Sequence, residues 1–144
     1  MKTILFLCTG NYYRSRFAEY VFNDRVRRRG IPYRAVSRGL AIERGADNHG
    51  PMCPVALKRL GELGIDVGTH LRDPLQAVDT DFAGADRIIA LDKAEHTPLV
   101  RERFPAWERQ VEYWAIPDRD PDEHRDPLAE IVREVDGLVV IVDR

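Results

Sequence analysis

The stretch Leu5–Phe17, L-F-L-C-T-G-N-Y-Y-R-S-R-F, limits most severely what this chain can fold into. The residues leading into it, Lys2–Leu7 (K-T-I-L-F-L), form a nearly continuous apolar run, which suits a strand buried on both faces of a parallel sheet. That run stops at Cys8. Five residues follow, then Arg14 and Ser15, and from there Phe17, Val21, Phe22 and Val26 recur at helical spacing until Gly30. A strand therefore runs into a short loop, and the loop into a helix N-terminus. Such a turn directs several backbone N–H groups at one point and makes an anion site from main chain alone. This loop also carries a thiol at its start and a guanidinium at its end.

The remaining chain repeats the alternation. Tyr33–Val36, Arg87–Leu91 and Val111–Ile116 read as further strands, and Pro51–Leu63 as a helix. Asp81–Ala85 reads as a helical turn. Asp92 with Glu95 has the spacing of a capping box, opening a helix that closes near Phe104-Pro105. Ser37–Gly50, Ile65–Leu75 and Pro117–Pro127 read as loops. The terminal L-V-V-I-V has strand-like composition, but Leu128, Ile131, Val132, Val135, Leu138 and Val139 share one helical face, so a helix is expected. Strands alternating with helices give an α/β fold in one domain, residues 1–144: a four-stranded parallel sheet with helices on both faces and the phosphate loop after strand 1. Ligands in such sheets sit beyond the C-terminal strand ends, where Cys8, Asp92 and Asp118 all fall.

Composition matters mainly for what it excludes. A net charge of −2 over 144 residues offers no broad basic field for nucleic acid or an anionic membrane. The Arg25–Arg29 cluster reads as cations closing a helix before Gly30. No apolar stretch is long enough to span a bilayer, and Met1-Lys2 leads into a strand rather than a signal peptide. The two cysteines, Cys8 and Cys53, are therefore expected as free thiols in the cytoplasm. Cysteines and histidines show no metal-ligand spacing, and neither metal nor organic cofactor is expected.

The loop chemistry follows from residue type. Backbone N–H groups of Thr9, Gly10, Asn11, Tyr12, Tyr13, Arg14 and Ser15 can donate to a phosphate monoester, and Arg14 can clamp two of its oxygens. The same donors favour a thiolate at Cys8, placed for in-line attack on phosphorus. Charge spreading over the equatorial oxygens would meet fixed donors. Gly10 permits a tight turn, and Asn11 tolerates a left-handed conformation. The Ser15 hydroxyl can donate to the Cys8 sulfur. A lone cysteine at a strand end is usually a small buried apolar residue. Packing alone does not account for Cys8 and Arg14 at this spacing, with Gly and Asn between and Ser after.

The segment C-T-G-N-Y-Y-R-S resembles the signature of the low-molecular-weight protein tyrosine phosphatases, C-x5-R-S with Gly and Asn inside, near the N-terminus after one strand. V-S-R-G around Ser37, N-H-G-P at Asn48–Pro51, T-H-L-R at Thr69–Arg72 and L-D-K-A-E-H at Leu91–His96 extend the resemblance along nearly the whole chain. The resemblance implies that Ser37 supports Asn11, and that His70 is a hydrogen-bonded structural histidine behind the loop. It also implies an aspartate general acid in a loop after the last strand. Alignment from Trp114 and the strand end selects Asp118; alignment on the Asp-Pro dipeptide selects Asp120. Distance from the strand governs reach, so Asp118 is preferred. Asp92 reads as a helix N-cap rather than a second acid.

The departures are specific. Tyr13 replaces a second cysteine that commonly precedes the loop arginine, and Cys53 is too remote in sequence to be assumed its substitute. Arg16 stands where proline usually follows Arg-Ser. The aromatic pair after the acid is replaced by Arg119, Asp120 and Pro121, leaving Tyr12, Leu40 or Trp114 to pack an aryl substrate. The expectation is a cytoplasmic cysteine-dependent phosphatase acting on phosphotyrosine proteins or small aryl phosphates and releasing inorganic phosphate. Two rivals stand beside it: a phosphate- or phosphotyrosine-binding module with little turnover, and an arsenate reductase on the same fold. The latter needs a relay of further cysteines, and none follows Cys53.

Overall fold

A computed structural model describes residues 1–144. Four strands, β1 (Lys2–Cys8), β2 (Tyr33–Gly39), β3 (Arg87–Ala90) and β4 (Val111–Tyr113), form one parallel sheet in the order β2-β1-β3-β4. Five helices connect and cover it: α1 (Arg14–Arg29), α2 (Pro54–Glu62), α3 (Asp79–Ala83), α4 (Lys93–Arg103) and α5 (Pro127–Val142). None is long and apolar enough to cross a membrane.

β1 is central, and its alternation divides the core. Ile4 and Phe6 enter a cluster with α1, α2 and α5, through Phe17, Phe22, Ala56, Leu60, Ile131 and Val135. Leu5 and Leu7 enter the opposite cluster with Phe82 of α3 and Leu99 and Val100 of α4. All four β1 residues are fully buried, which is why the run is continuous rather than alternating. Phe6 meets Phe22 edge-on at 6.1 Å and Trp114 at 5.6 Å between ring centroids.

Several boundaries differ from the sequence expectations, with identifiable causes. β2 continues through Ser37 to Gly39 because its register with β1 persists to Cys8↔Gly39. α2 begins at Pro54, which occupies its first turn, rather than at Pro51. β4 stops at Tyr113, and the following segment stays on the sheet through an isolated Asp92↔Ala115 bridge. The C-terminal helix forms as expected; Gly137 has open space around it, so no close packing requires a glycine there. The capping box does not form. The Asp92 side chain makes no capping bond, and Glu95 turns toward the β1–α1 loop. His96 Nδ1 instead accepts the Asp92 N–H at 3.0 Å, the bond a box glutamate would make.

Candidate active site

The β1–α1 loop is held from outside by its carbonyls. Leu40 N–H donates to Cys8 O at 2.8 Å, Ala41 N–H to Thr9 O at 3.0 Å, Cys53 N–H to Tyr12 O at 2.9 Å and Phe17 N–H to Tyr13 O at 3.1 Å. Arg16 Nη1 reaches Asn11 O at 3.3 Å. With those carbonyls turned outward, no backbone N–H from Thr9 to Ser15 finds an acceptor within the protein. Such a run of unpaired donors is a nest for an anion. Asn11 makes the turn possible at φ 51°, the one non-glycine residue with positive φ.

Behind the nest lies a directed set of hydrogen bonds. Arg72 Nη1 and the Leu75 N–H both donate to Asn11 Oδ1 at 3.0 Å. Asn11 Nδ2 then donates to Ser15 Oγ at 2.8 Å and Ser37 Oγ at 2.9 Å. Each serine must direct its own proton elsewhere. Ser37 donates to Glu19 Oε1 at 2.6 Å, and Ser15 is left to donate to Cys8 Sγ at 2.9 Å. The sulfur thus receives a hydrogen bond whose direction is set by a side chain three links away.

Arg14 is 3% exposed and held on two sides: Nη1 donates to Ile116 O at 3.0 Å and Nη2 to Glu95 Oε2 at 2.6 Å. The same Glu95 oxygen accepts from Thr9 Oγ1 at 2.5 Å. His96 Nε2, fully buried, lies 3.1 Å from that oxygen. Burial pushes the Glu95 carboxyl upward, yet His96, Arg14 and Thr9 outweigh it and hold it far below the usual carboxylate range. Burial likewise lowers Arg14, but Cys8, Glu95 and Asp118 overcome this and raise it.

A cleft of about 270 Å³ opens over the loop, with Cys8, Thr9, Gly10, Tyr12, Tyr13 and Arg14 on its floor and rim. Asp118 lines it too, exposed, with Oδ1 3.9 Å from Arg14 Nε. Asp118 gets there because the segment after β4 is pinned to the end of β3: Trp114 N–H donates to Ala90 O at 2.9 Å and Ile116 N–H to Leu91 O at 2.9 Å. Asp120 does not line the cleft; its Oδ1 accepts from the Asp122 N–H at 2.9 Å.

The comparisons with known proteins accord with this geometry. The family model for low molecular weight phosphotyrosine protein phosphatase matches residues 3–136. The chain belongs to that family. No curated protein matches the sequence. Among solved structures, YfkJ from Bacillus subtilis superposes with a TM-score of 0.80 at 21% identity, covering 99% of this chain and 95% of that one. A mutant of the YwlE arginine phosphatase with a phosphorylated active-site serine gives 0.79 at 18% identity, covering 99% and 96%. Vibrio vulnificus Wzb in complex with benzylphosphonate gives 0.74 at 20% identity, covering 97% and 95%. These likenesses establish the shared fold.

Against the family pattern, the structure shows what the departures do. Arg16, in the place of the usual proline, is fully buried and ties four groups: Asn11 O, Pro51 O at 2.9 Å, Arg72 O at 2.7 Å and Tyr20 Oη at 3.1 Å. Tyr13 is buried beside Cys53, and burial together with Cys53 raises its phenol to about 12. Cys53 itself lines the cleft, so the two thiols share one cavity that sequence distance had separated. Of the residues expected to wall an aryl group, only Tyr12 lines the cleft, its Oη bonded to His49 O at 2.5 Å. Leu40 is buried in the β1–β3 side core, and Trp114 packs on Phe6.

His70 requires correction. It is exposed, and only its main chain is engaged: its N–H donates to Val67 O at 2.8 Å and its carbonyl accepts from Tyr20 Oη at 2.8 Å. The support expected of it comes from Arg72, two residues on, which also reaches Ser37 O at 3.1 Å and Glu19 Oε1 at 3.3 Å. Sequence reading gave Arg72 and Glu19 no role, read Glu95 only as a capping residue, and noted Arg16 only as a departure at the proline position.

Proposed function

We propose that this protein is a cysteine-dependent phosphatase hydrolysing phosphotyrosine or related aryl phosphate monoesters. One observation carries the reading: the loop between Cys8 and Arg14 keeps its N–H groups unpaired and inward while its carbonyls are tied outward. In the first step the Cys8 sulfur attacks phosphorus, an S–P bond forms, the P–O bond to the aryl group breaks, and Asp118 gives its proton to the leaving oxygen. In the second, Asp118 takes a proton from water, the water oxygen attacks phosphorus, and the S–P bond breaks to release inorganic phosphate. Ser15 stabilises the departing sulfur through the bond it already makes. Arg14 and the loop amides meet the equatorial oxygens in both steps. No residue here requires a metal or organic cofactor for these steps. The two cysteines are free, which suits a reducing cytoplasm.

Tyr12 at the rim favours an aryl leaving group, since it offers an aromatic face beside the nest. A phosphorylated guanidine, the substrate class in the name of YwlE, would instead carry its own cation between Arg44 and Arg119, which line the same cleft.

Turnover of p-nitrophenyl phosphate by the parent, Cys8→Ser, Asp118→Ala and Asp120→Ala tests the reading. Cys8→Ser should abolish turnover, and Asp118→Ala should lower kcat by about 10²-fold or more. Asp120→Ala should change it by less than about threefold, as expected of a carboxylate outside the cleft. A folded, reduced parent that binds phosphate without turnover would establish the binding-module alternative instead.

A further inference from the structure

Beyond the loop, the cleft presents a second set of donors. Arg44 and Asn48 follow β2, and Arg119 follows β4; all three line the cavity over Cys8. β2 and β4 are the two edges of the sheet, so these residues approach the mouth from opposite sides of the β1 loop. Asn48 lies directly over the loop: a Cβ built on Gly10 would meet its Nδ2 at 3.8 Å, and one on Gly45 would meet it at 2.6 Å.

The neighbouring carboxylates are either engaged or outside the cleft, as Asp47 and Asp120 are. Glu43, beside Arg44, is held by Arg103 Nη2 at 2.8 Å and Nη1 at 3.0 Å. Glu95 is held by Arg14 and Thr9. Asp118 Oδ1 accepts the Arg119 N–H at 2.9 Å and faces Arg14. Of the three arginines that line the cleft, Arg14 is paired with Glu95, while Arg44 and Arg119 have no ion-pair partner. Two free guanidiniums and a free amide around a phosphate nest are the donors that a second anionic group would require.

We propose that Arg44, Asn48 and Arg119 form an anion subsite at the mouth of the cleft, which selects phosphotyrosine segments flanked by aspartate or glutamate. The proposal rests on the aryl phosphatase reading and assigns it a substrate class. The phosphate enters the nest, the ring passes Tyr12, and a flanking carboxylate meets Arg44 and Asn48 on one side or Arg119 on the other. The pairs are solvent-accessible, so selection is salt-sensitive and acts on kcat/KM through encounter.

The test compares kcat/KM for length-matched phosphotyrosine peptides flanked by Glu, Ala or Lys, with the parent and the charge reversal Arg44→Glu/Arg119→Glu. The parent should prefer the Glu-flanked over the Lys-flanked peptide by about tenfold or more at low ionic strength, narrowing in 0.5 M salt. The double reversal should invert that order. General damage to the cleft would lower all three peptides together and leave their order intact, which would overturn the proposal, as would a parent indifferent to flanking charge. The same series is read as binding to Cys8→Ser by fluorescence anisotropy. Acid-selective binding by Cys8→Ser, together with no turnover by the folded, reduced parent, would uphold the subsite while rejecting the catalytic reading. Turnover with no charge order would do the reverse.

Discussion

The back of the phosphate loop and the walls of the cleft are built on opposite principles. Behind the loop, Asn11, Ser15, Arg16 and Ser37 are buried, with exposures of 0%, and each makes at least two hydrogen bonds. At the walls, Arg44, Asn48, Asp118 and Arg119 are exposed and held mainly through their own main chain. The difference separates two tasks. Chemistry on phosphorus needs donors fixed before substrate arrives, because preorganised dipoles stabilise a transition state without reorganising. Discrimination among substrates needs side chains that can be exchanged without disturbing that base. In this protein the boundary falls at the loop itself, with its carbonyls on the rigid side and its N–H groups on the open one.

Breaking the rigid side should produce the largest effects. Arg16→Met would leave Asn11 O, Pro51 O and Arg72 O without their buried donor, at about 1–3 kcal/mol for each carbonyl that water cannot reach. We expect a loss of about 3 kcal/mol or more, read as a lowered urea midpoint at unchanged m-value. If the midpoint barely moves, Arg16 is not the tether the geometry describes.

Arg72→Met should come next. It removes one of the two donors to Asn11 Oδ1, leaving the Leu75 N–H alone to keep Asn11 Nδ2 directed at Ser15. We expect kcat on p-nitrophenyl phosphate to fall about tenfold or more with KM changed less, since in the proposed mechanism the bond to Cys8 Sγ matters most as sulfur departs. Arg72→Lys, which keeps a donor, should recover part of kcat. His70→Ala should have no comparable effect on kcat. An equal loss there would restore the histidine as the support.

Glu95 spans the two regions and supplies a pH test. Its carboxyl is depressed in the fold from an ordinary value of 4.5. Above that value both folded and unfolded chains are ionised, and its contribution to stability is fully present. As pH falls below it, the unfolded chain takes up a proton that the folded chain resists, so stability is lost. Urea midpoints for the parent should therefore drop further between pH 6 and pH 3 than those of Glu95→Gln. Parallel curves would show that Glu95 gains nothing from Arg14 and Thr9. At the small end, Tyr13, raised to about 12, should be missing from the ordinary phenolate step near pH 10 in an ultraviolet titration. Tyr13→Phe should leave that step unchanged in height.

How much was legible varies residue by residue. Cys8 and Arg14 were visible because a strand, a loop of set length and a helix start are local, and local geometry follows from consecutive residues. Asp118 was half-visible: its distance from β4 pointed to the cleft, but the choice over Asp120 depends on how Trp114 and Ile116 bond to β3. Glu95 was misread because a Ser/Asp-x-x-Glu spacing has a local explanation, and His96 took that local role instead. Arg72 was passed over for His70 because the two stand two residues apart in irregular chain, where no periodicity says which side faces inward.

The sequence by itself determined the strand–loop–helix that presents a thiol and a guanidinium to one anion, since burial of β1 and the onset of α1 leave the five intervening positions little freedom. The tertiary structure decided which distant side chains support and wall that loop: Arg72, Glu19 and Glu95 behind and beside it, Cys53, Arg44 and Arg119 around its mouth. Those choices join residues up to about a hundred positions apart, as Arg14 meets Ile116. They are settled by strand order and by the packing of loops at one sheet edge, for which a linear chain carries no local mark.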